Sequence, residues 1–203
     1  MSAAPRIAAI VLAAGFSKRF GKTDKLSASL GKNTLLEKSL AAYASPLLTR
    51  KIIVLQADSP HAETCSDAGF EIIVNQNAER GMGSSIACAI AALDDTLDDT
   101  THALIGLADM PDIEPQTIDY LCRAVETDAP SHSIIIPTHD GQRGNPRLFS
   151  ATHFPLLAQL SGDKGAKSII AACPNILDFA VHDAGILRDV DTVEALETAA
   201  ISS

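Results

Sequence analysis

The hydrophobic and polar positions along the chain follow two alternating patterns. Apolar runs of the length of buried strands recur at Ile7–Leu12, Lys51–Leu55, Glu71–Val74, Ala103–Leu107 and Ser133–Pro137. Segments with apolar residues at helical spacing lie between them, at Thr34–Tyr43, Ser84–Leu93 and Thr117–Val125. Strands that are apolar throughout belong to sheets covered on both faces. The alternation therefore predicts an α/β fold with a mainly parallel sheet between two layers of helices.

Composition narrows the classes of function. The 203 residues are 46% hydrophobic, enough for the sizeable core of one domain, and we expect a single domain over residues 1–203. The net charge of −9 argues against a nucleic-acid partner or a membrane surface. The four cysteines are scattered without a C-x-x-C pair, which is typical of reduced thiols and predicts a cytoplasmic protein.

The stretch "LAAGFSKRFGKTDK", residues 12–25, carries the first candidate chemistry. Small residues follow an apolar strand, so backbone amides there can approach a phosphate or a base. In an otherwise acidic chain the stretch also concentrates four cations, Lys18, Arg19, Lys22 and Lys25. This pattern predicts a pocket for a small anionic ligand at the carboxyl end of the first strand.

A P-loop is one interpretation of this stretch. The spacing from Gly15 to Gly21-Lys22-Thr23 is one residue too long, however, and an inserted residue moves the lysine and threonine out of register. The segment Asp24–Gly31, where a P-loop helix would run, is also a poor helix opening. A nucleotidyltransferase loop is the other interpretation, and we favour it.

The pattern L-A-A-G-x-S-x-R-x-G-x-x-x-K in residues 12–25 resembles the opening of the sugar- and cofactor-nucleotidyltransferases. Further motifs follow in order, at Gly81–Ile86, Ala108–Pro111, Arg143–Phe149, Gly162–Lys167 and Asp189–Thr192. Together they resemble the molybdenum cofactor cytidylyltransferases and their close relatives over roughly residues 7 to 197. The resemblance implies a three-layer Rossmann-like nucleotidyltransferase fold with a mainly parallel mixed sheet.

The resemblance also implies roles for individual residues. Arg19 and Lys25 would be catalytic and would contact the triphosphate. Nucleotide-binding positions would be Leu12, Ala13, Ala14, Gly15, Ser17, Lys25, Gly81, Ser84 and Ser85. The second substrate would be bound by Asn145, Gly162, Asp163, Gly165 and Lys167.

Asp109 is a candidate catalytic metal ligand on physical grounds, independently of the resemblance. It ends an apolar strand, and a carboxylate in that place is a hard oxygen ligand of the kind that Mg²⁺ takes together with phosphate oxygens. Resemblance implies Asp191 as the second ligand, with Asp189 in reserve. The alternative for Asp191 is a helix cap, because Glu194 follows it three residues later and a last helix would run towards Ala200.

The function implied is transfer of CMP from CTP to the terminal phosphate of molybdenum cofactor, or molybdopterin, with Mg²⁺ as cofactor and release of pyrophosphate. A molybdoenzyme or its maturation chaperone would be the protein partner. Replacing Lys25 with alanine should then reduce turnover far more than stability.

The sequence departs from the family pattern at four places, which are Phe20, Asn145, Lys167 and the segment after Asp191. Lys167 replaces an arginine and loses its planar fork for phosphate. Transfer of GMP, or transfer to a sugar or polyol phosphate, therefore stays open on the same fold. A non-catalytic molybdenum-cofactor binding protein is the alternative from another class.

Overall fold

The computed structural model describes residues 4–15, 24–94, 99–127, 133–192 and 196. Its strands are β1 Ile7–Leu12, β2 Ser29–Leu30, β3 Asn33–Thr34, β4 Leu48–Gln56, β5 Glu71–Asn75, β6 His102–Leu107, β7 Ile134–His139, β8 Gln142–Arg143, β9 Arg147–Ser150 and β10 Ile176–Ala180. Its α-helices are α1 Leu35–Ala41, α2 Ala62–Asp67, α3 Met82–Asp94, α4 Pro115–Thr127, α5 Phe154–Leu157 and α6 Lys167–Ala172. Each of the five predicted strands and three predicted helices has a counterpart in these ranges, with ends that differ by a few residues.

The main sheet of the described residues has the strand order β10-β7-β9-β6-β1-β4-β5, with β8 paired to β7. The pairs β1–β4, β1–β6, β4–β5 and β7–β10 are parallel. The pairs that involve β8 and β9 are antiparallel. The predicted α/β fold with a mainly parallel mixed sheet is therefore confirmed.

Residues 139–163 contain strands β8 and β9 and helix α5, none of which the sequence patterns predict. Arg147–Ser150 forms β9, which lies in the interior of the sheet and pairs with both β6 and β7. This strand is only four residues long and begins with an arginine, so its apolar pattern is too short to detect. Strand β10 was missed for a related reason, because it is half-exposed and carries Asp178.

Local capping explains where α1 begins. Thr34 accepts a hydrogen bond from the Glu37 backbone N–H at 3.2 Å, and the Glu37 carboxylate accepts one from the Thr34 N–H at 2.6 Å. This capping box satisfies amides that have no partner within the helix. The predicted last helix, from Asp191 towards Ala200, falls mostly outside the described residues.

Two apolar clusters cover the two faces of the sheet, and strand β1 contributes to both. Its side chains alternate between the cluster that α1 and α4 join and the cluster that α3, α5 and α6 join. Every residue of β1 is buried, which holds the strand at the centre of the molecule. The carboxyl ends of β1, β4 and β6 consequently meet at one edge of the sheet. No helix of the described residues has the length and apolar character to cross a membrane.

Candidate functional site

A cavity of about 450 Å³ opens at the carboxyl edge of β1 and β6. Its described lining consists of Leu12, Ala14, Gly15, Ala78, Glu79, Gly81, Met82, Ser85, Leu107, Asp109, Asp163, Asp189 and Asp191. The volume falls in the range of ordinary small-molecule sites. Five of these residues are acidic, and none of the described lining residues is a lysine or an arginine. An anionic ligand in this cavity therefore needs cations from neighbouring segments or from solution.

Lys25 lies against two of the cavity carboxylates. Its Nζ is 2.5 Å from Asp109 Oδ2 and 3.2 Å from Asp191 Oδ1. The Lys25 side chain is 11% exposed and that of Asp109 is 18% exposed, so this ion pair is largely removed from solvent. Three predicted residues from distant parts of the chain thus form one cluster.

Burial and neighbouring charges shift the pKa values of this cluster in opposite directions. Burial works against the charged form of Lys25, but the carboxylates of Asp109 and Asp191 outweigh it and raise the pKa of the ammonium. Burial raises the pKa of the Asp109 carboxyl, the Lys25 ammonium lowers it, and the charges of Asp189 and Asp191 raise it further. The cluster holds three neighbouring carboxylates, and Lys25 is a cation that the structure places in contact with two of them.

The donor atoms fit a hard divalent cation held partly by substrate. Asp109 Oδ1 is buried and has no hydrogen-bond partner among the described residues, so it has an unused lone pair. The described residues hold no set of three or more His, Cys, Asp or Glu side chains placed to bind a metal by themselves. Mg²⁺ commonly uses one or two carboxylates and completes its shell with phosphate oxygens and water. Asp109 and Asp191 are suited to that partial role.

The backbone brings the carboxylates together. The Val190 N–H donates to the Asp109 carbonyl at 2.9 Å, which places Asp189 and Asp191 on either side of the end of β6. The Ala108 N–H donates to the Leu12 carbonyl at 3.1 Å and joins this segment to the end of β1. The acidic cluster is therefore built on the rigid centre of the sheet.

The first predicted nucleotide loop lies partly in the cavity. Leu12, Ala14 and Gly15 line it, whereas Ala13 packs against the apolar cluster on the other face. The Ala13 N–H donates to the Val54 carbonyl at 2.9 Å, which extends the parallel pairing beyond β1. Ser17 and Arg19, also predicted for this loop, lie outside the described residues.

The second predicted nucleotide loop lies on the opposite wall. Gly81 and Ser85 line the cavity, at the start of α3. Ser84 is not among the described lining residues, and its hydroxyl lies within hydrogen-bond distance of the Gly81 and Asn77 carbonyls, at 2.8 and 3.0 Å. The Asn75 side-chain amide donates to both serine hydroxyls, at 2.9 and 3.0 Å. This network orders the loop, and Ser85 is the hydroxyl that lies in the cavity lining.

The residues predicted for the second substrate do not share one location. Asp163 lines the cavity. Gly162 closes the Gly81 loop, since its N–H donates to the Arg80 carbonyl and its carbonyl accepts from the Gly83 N–H, both at 2.8 Å. The remaining three, Gly165, Asn145 and Lys167, are not among the described cavity-lining residues.

Each of these three residues has a different environment. Gly165 packs against Met82, and the Asn145 N–H donates to the Ile186 carbonyl at 2.9 Å. Lys167 is exposed at the start of α6. Of the predicted set, Asp163 is the side chain in direct contact with the cavity.

Sequence reasoning missed several residues at this edge. Glu79 and Met82 line the cavity without having been predicted as site residues, although Met82 lies within the motif Gly81–Ile86 and Glu79 lies two residues before it. Arg147 begins β9 opposite Ile105, near the same edge of the sheet. Its Nε donates to the Gly144 carbonyl at 3.1 Å, and its guanidinium has no carboxylate partner among the described residues. Burial, and then the charge of Arg143, lower the pKa of Arg147.

A family model described as "MobA-like NTP transferase domain" matches residues 9–176, which include both loops and the Lys25–Asp109 pair. The chain belongs to this family. Membership places it among the nucleotidyltransferases. The P-loop interpretation is wrong, because residues 25–34 form a single 3-10 turn and the short strands β2 and β3 rather than a helix.

Two curated relatives of the MobA-like chain are similar over almost their whole length. Nicotine blue oxidoreductase of Paenarthrobacter nicotinovorans is 29% identical over 200 residues, which cover 95% of each chain. Purine catabolism protein PucB of Bacillus subtilis (strain 168) is 28% identical over 202 residues, which cover 94% of each chain. The names of these two relatives describe different roles and define no common substrate.

Solved structures agree with the fold. The crystal structure of Rv0371c from Mycobacterium tuberculosis H37Rv has a TM-score of 0.80 and 27% identity, over 98% of this chain and 100% of that chain. A structure of the same protein in complex with manganese has a TM-score of 0.73 and 25% identity, with the same coverage. A relative with this architecture has thus been solved in complex with manganese.

Proposed function

We propose that the chain transfers CMP from CTP to the terminal phosphate of a molybdopterin-type cofactor and releases pyrophosphate. The observation that carries this proposal is the Lys25 ammonium bound between Asp109 and Asp191 at a cavity lined by both nucleotide loops. Family membership supports the nucleotidyl-transfer chemistry. The choice of CTP and of the acceptor rests on the motif series from Gly81 to Thr192.

Charge and positioning dominate this chemistry. An acceptor phosphate oxygen attacks the α-phosphorus of CTP, the bond to the β-phosphate oxygen breaks, and pyrophosphate leaves with that electron pair. A phosphate monoester is largely ionised at pH 7, so no general base is required. Catalysis must instead overcome the repulsion between two anions, which needs fixed positive charge and alignment.

The described residues divide these tasks. Lys25 supplies the fixed positive charge near the reacting phosphates. Asp109, with Asp191, would hold Mg²⁺, which supplies charge neutralisation of the reacting phosphates when bound. The walls at Gly15 and Ser85 hold the nucleoside portion, and Asp163 borders the same space.

The decisive experiment measures pyrophosphate release with Mg²⁺ and each of CTP, GTP, UTP and ATP, with and without molybdenum cofactor. Release with CTP only when the cofactor is present supports the proposal. Release with GTP keeps the chemistry and overturns the choice of base. Release with a sugar or polyol phosphate overturns the acceptor, and no release despite cofactor binding indicates a carrier.

A redox assay belongs in the same experiment, because one relative is named an oxidoreductase. The same preparation is mixed with NADH or NADPH and nicotine blue, and the absorbance of the reduced nicotinamide is followed. Oxidation of the nicotinamide without any pyrophosphate release would overturn nucleotidyl transfer as the activity of this chain.

A further inference from the structure

Lys25 lies on a turn that has little support of its own. Lys25–Ser27 is one turn of 3-10 helix, and such short turns have poor internal hydrogen-bond geometry. Leu26 is buried in the apolar cluster and anchors the centre of the turn. The lysine side chain still has a long flexible stem, and the loss of its rotamer entropy opposes immobilisation. The orientation of the Lys25 side chain towards the carboxylates therefore depends on how firmly the turn is held.

Asp24 holds the start of this turn through three contacts. Its Oδ1 accepts a hydrogen bond from the Leu26 N–H at 3.2 Å, and its Oδ2 accepts one from the Ser27 hydroxyl at 2.9 Å. Its Oδ2 is also in hydrogen-bond contact with His61 Nε2. A carboxylate oxygen can only accept, so Nε2 is the donor of this third bond.

His61 is anchored in the body of the protein. It is 8% exposed and immediately precedes α2, which follows the end of β4. Its carbonyl accepts a hydrogen bond from the Cys65 N–H at 3.0 Å. Strand β4 pairs with β1 from Leu48 to Val54, and the buried His61 lies a few residues beyond the end of β4. The contact between Asp24 and His61 ties the turn of Lys25 to this rigid part.

We propose that Asp24 and His61 are positioning residues that aim the Lys25 ammonium at Asp109 and Asp191 during nucleotidyl transfer. This inference rests on the proposed function. Neither residue is among the described cavity-lining residues, so both act through Lys25. A displacement of a reacting group by about 1 Å can cost on the order of a hundredfold in rate. Loss of the His61 contact should therefore lower turnover without direct loss of a substrate contact.

The test uses His61→Ala and His61→Gln, each in the wild-type and in the Lys25→Met background. Glutamine presents an amide N–H near the place of imidazole Nε2 and can restore the bond to Asp24. We expect His61→Ala to lower kcat about tenfold, with KM for CTP changed less than about threefold. His61→Gln should retain kcat within about threefold of wild type. In the Lys25→Met background, His61→Ala should change kcat less than about twofold.

A purely structural role gives a different result. It would lower the thermal midpoint in both backgrounds and would reduce the residual turnover of Lys25→Met as well. Equal losses of kcat from His61→Ala in both backgrounds would overturn the proposal. An unchanged kcat in His61→Ala, when the wild-type protein is active, would also overturn it. A wild type without nucleotidyl transfer overturns the proposed function, whatever the His61 variants do.

Amide exchange gives a readout that does not depend on activity. The Leu26 N–H donates to Asp24, so it should exchange faster in His61→Ala and return towards the wild-type rate in His61→Gln. An unchanged Leu26 exchange rate in His61→Ala would show that Asp24 is held without His61, and would overturn the positioning role.

Discussion

The variant Lys25→Met removes the cation of the site and keeps most of the apolar stem. In the wild type its ammonium lies 2.5 Å from Asp109 and 3.2 Å from Asp191. Among the described residues, the methionine variant leaves Asp109 largely buried beside Asp189 and Asp191 with no compensating charge. The structure therefore adds a stability cost to the sequence-based expectation that this residue matters mainly for turnover.

The magnitude follows from how deeply the pair is buried. Breaking a buried ion pair by removing one partner typically costs about 3–5 kcal/mol. Half of the Asp191 side chain is exposed and solvent screens its charge, so the low end of that range, about 3 kcal/mol, applies. For a chain of this length that corresponds to a fall of about 6–12 °C in the thermal midpoint. Turnover should fall by about a hundredfold or more, because a fixed charge at the reacting phosphates is lost.

The assay combines urea unfolding, thermal unfolding and pyrophosphate release, with Lys32→Met as the matched control. Lys32 is exposed on the turn between β2 and β3, and its loss should change none of these measurements. Added Mg²⁺ should raise the thermal midpoint of Lys25→Met more than that of the wild type, since it would bind the uncompensated carboxylates.

Three results would each refute one part of this reasoning. A change in unfolding free energy below about 0.5 kcal/mol would show that the ion pair contributes no net stability. Near-wild-type turnover would show that Lys25 has no role at the reacting phosphates. An equal Mg²⁺ response in wild type and Lys25→Met would remove the argument that the carboxylates form the metal site.

Three further substitutions test separate parts of the site. Asp109→Asn should lower kcat about a hundredfold in the pyrophosphate assay but cost less unfolding free energy than Lys25→Met, because it relieves carboxylate repulsion. Gly81→Ala should cost about 2 kcal/mol more in urea unfolding than Gly141→Ala. Both glycines have positive φ, 90° and 75°, but only at Gly81 would a Cβ meet neighbouring atoms, the nearest at 2.2 Å. Arg147→Met should raise KM for the acceptor phosphate about tenfold and leave KM for CTP unchanged, since its guanidinium lacks a carboxylate partner in the described part of the chain.

The controls for these substitutions are available in the chain. Arg143→Met removes an exposed arginine that pairs with Asp178 through two hydrogen bonds of 2.7 and 2.8 Å, and it should leave both KM values unchanged. An equal effect of Arg143→Met and Arg147→Met would contradict a specific role for Arg147. Equal losses of unfolding free energy in the two glycine variants would show that the loop at Gly81 rearranges to accept a Cβ. Wild-type turnover in Asp109→Asn would show that Asp109 is not part of the site.

Local hydrophobic patterns were sufficient to predict the layers of the fold. Runs such as Ile7–Leu12 are apolar at every position, and burial on both faces of a central parallel strand is what that composition requires. The helix of residues 35–41 was predicted, as Thr34–Tyr43, from its apolar stripe, and the cap at Thr34 was added by the structure. The position of Asp109 at the end of an apolar strand was likewise enough to mark it as a candidate ligand.

The tertiary structure alone decided which candidates meet. Lys25 is 84 residues from Asp109 and 166 from Asp191, and no local period relates such positions. Their contact depends on the parallel pairing of β1 with β6 and on the bond from Val190 to the Asp109 carbonyl. The same is true of Asp24 and His61, which come from different loops at one edge of the sheet. Composition and periodicity report the burial of each segment, whereas strand order and register determine which segments become neighbours.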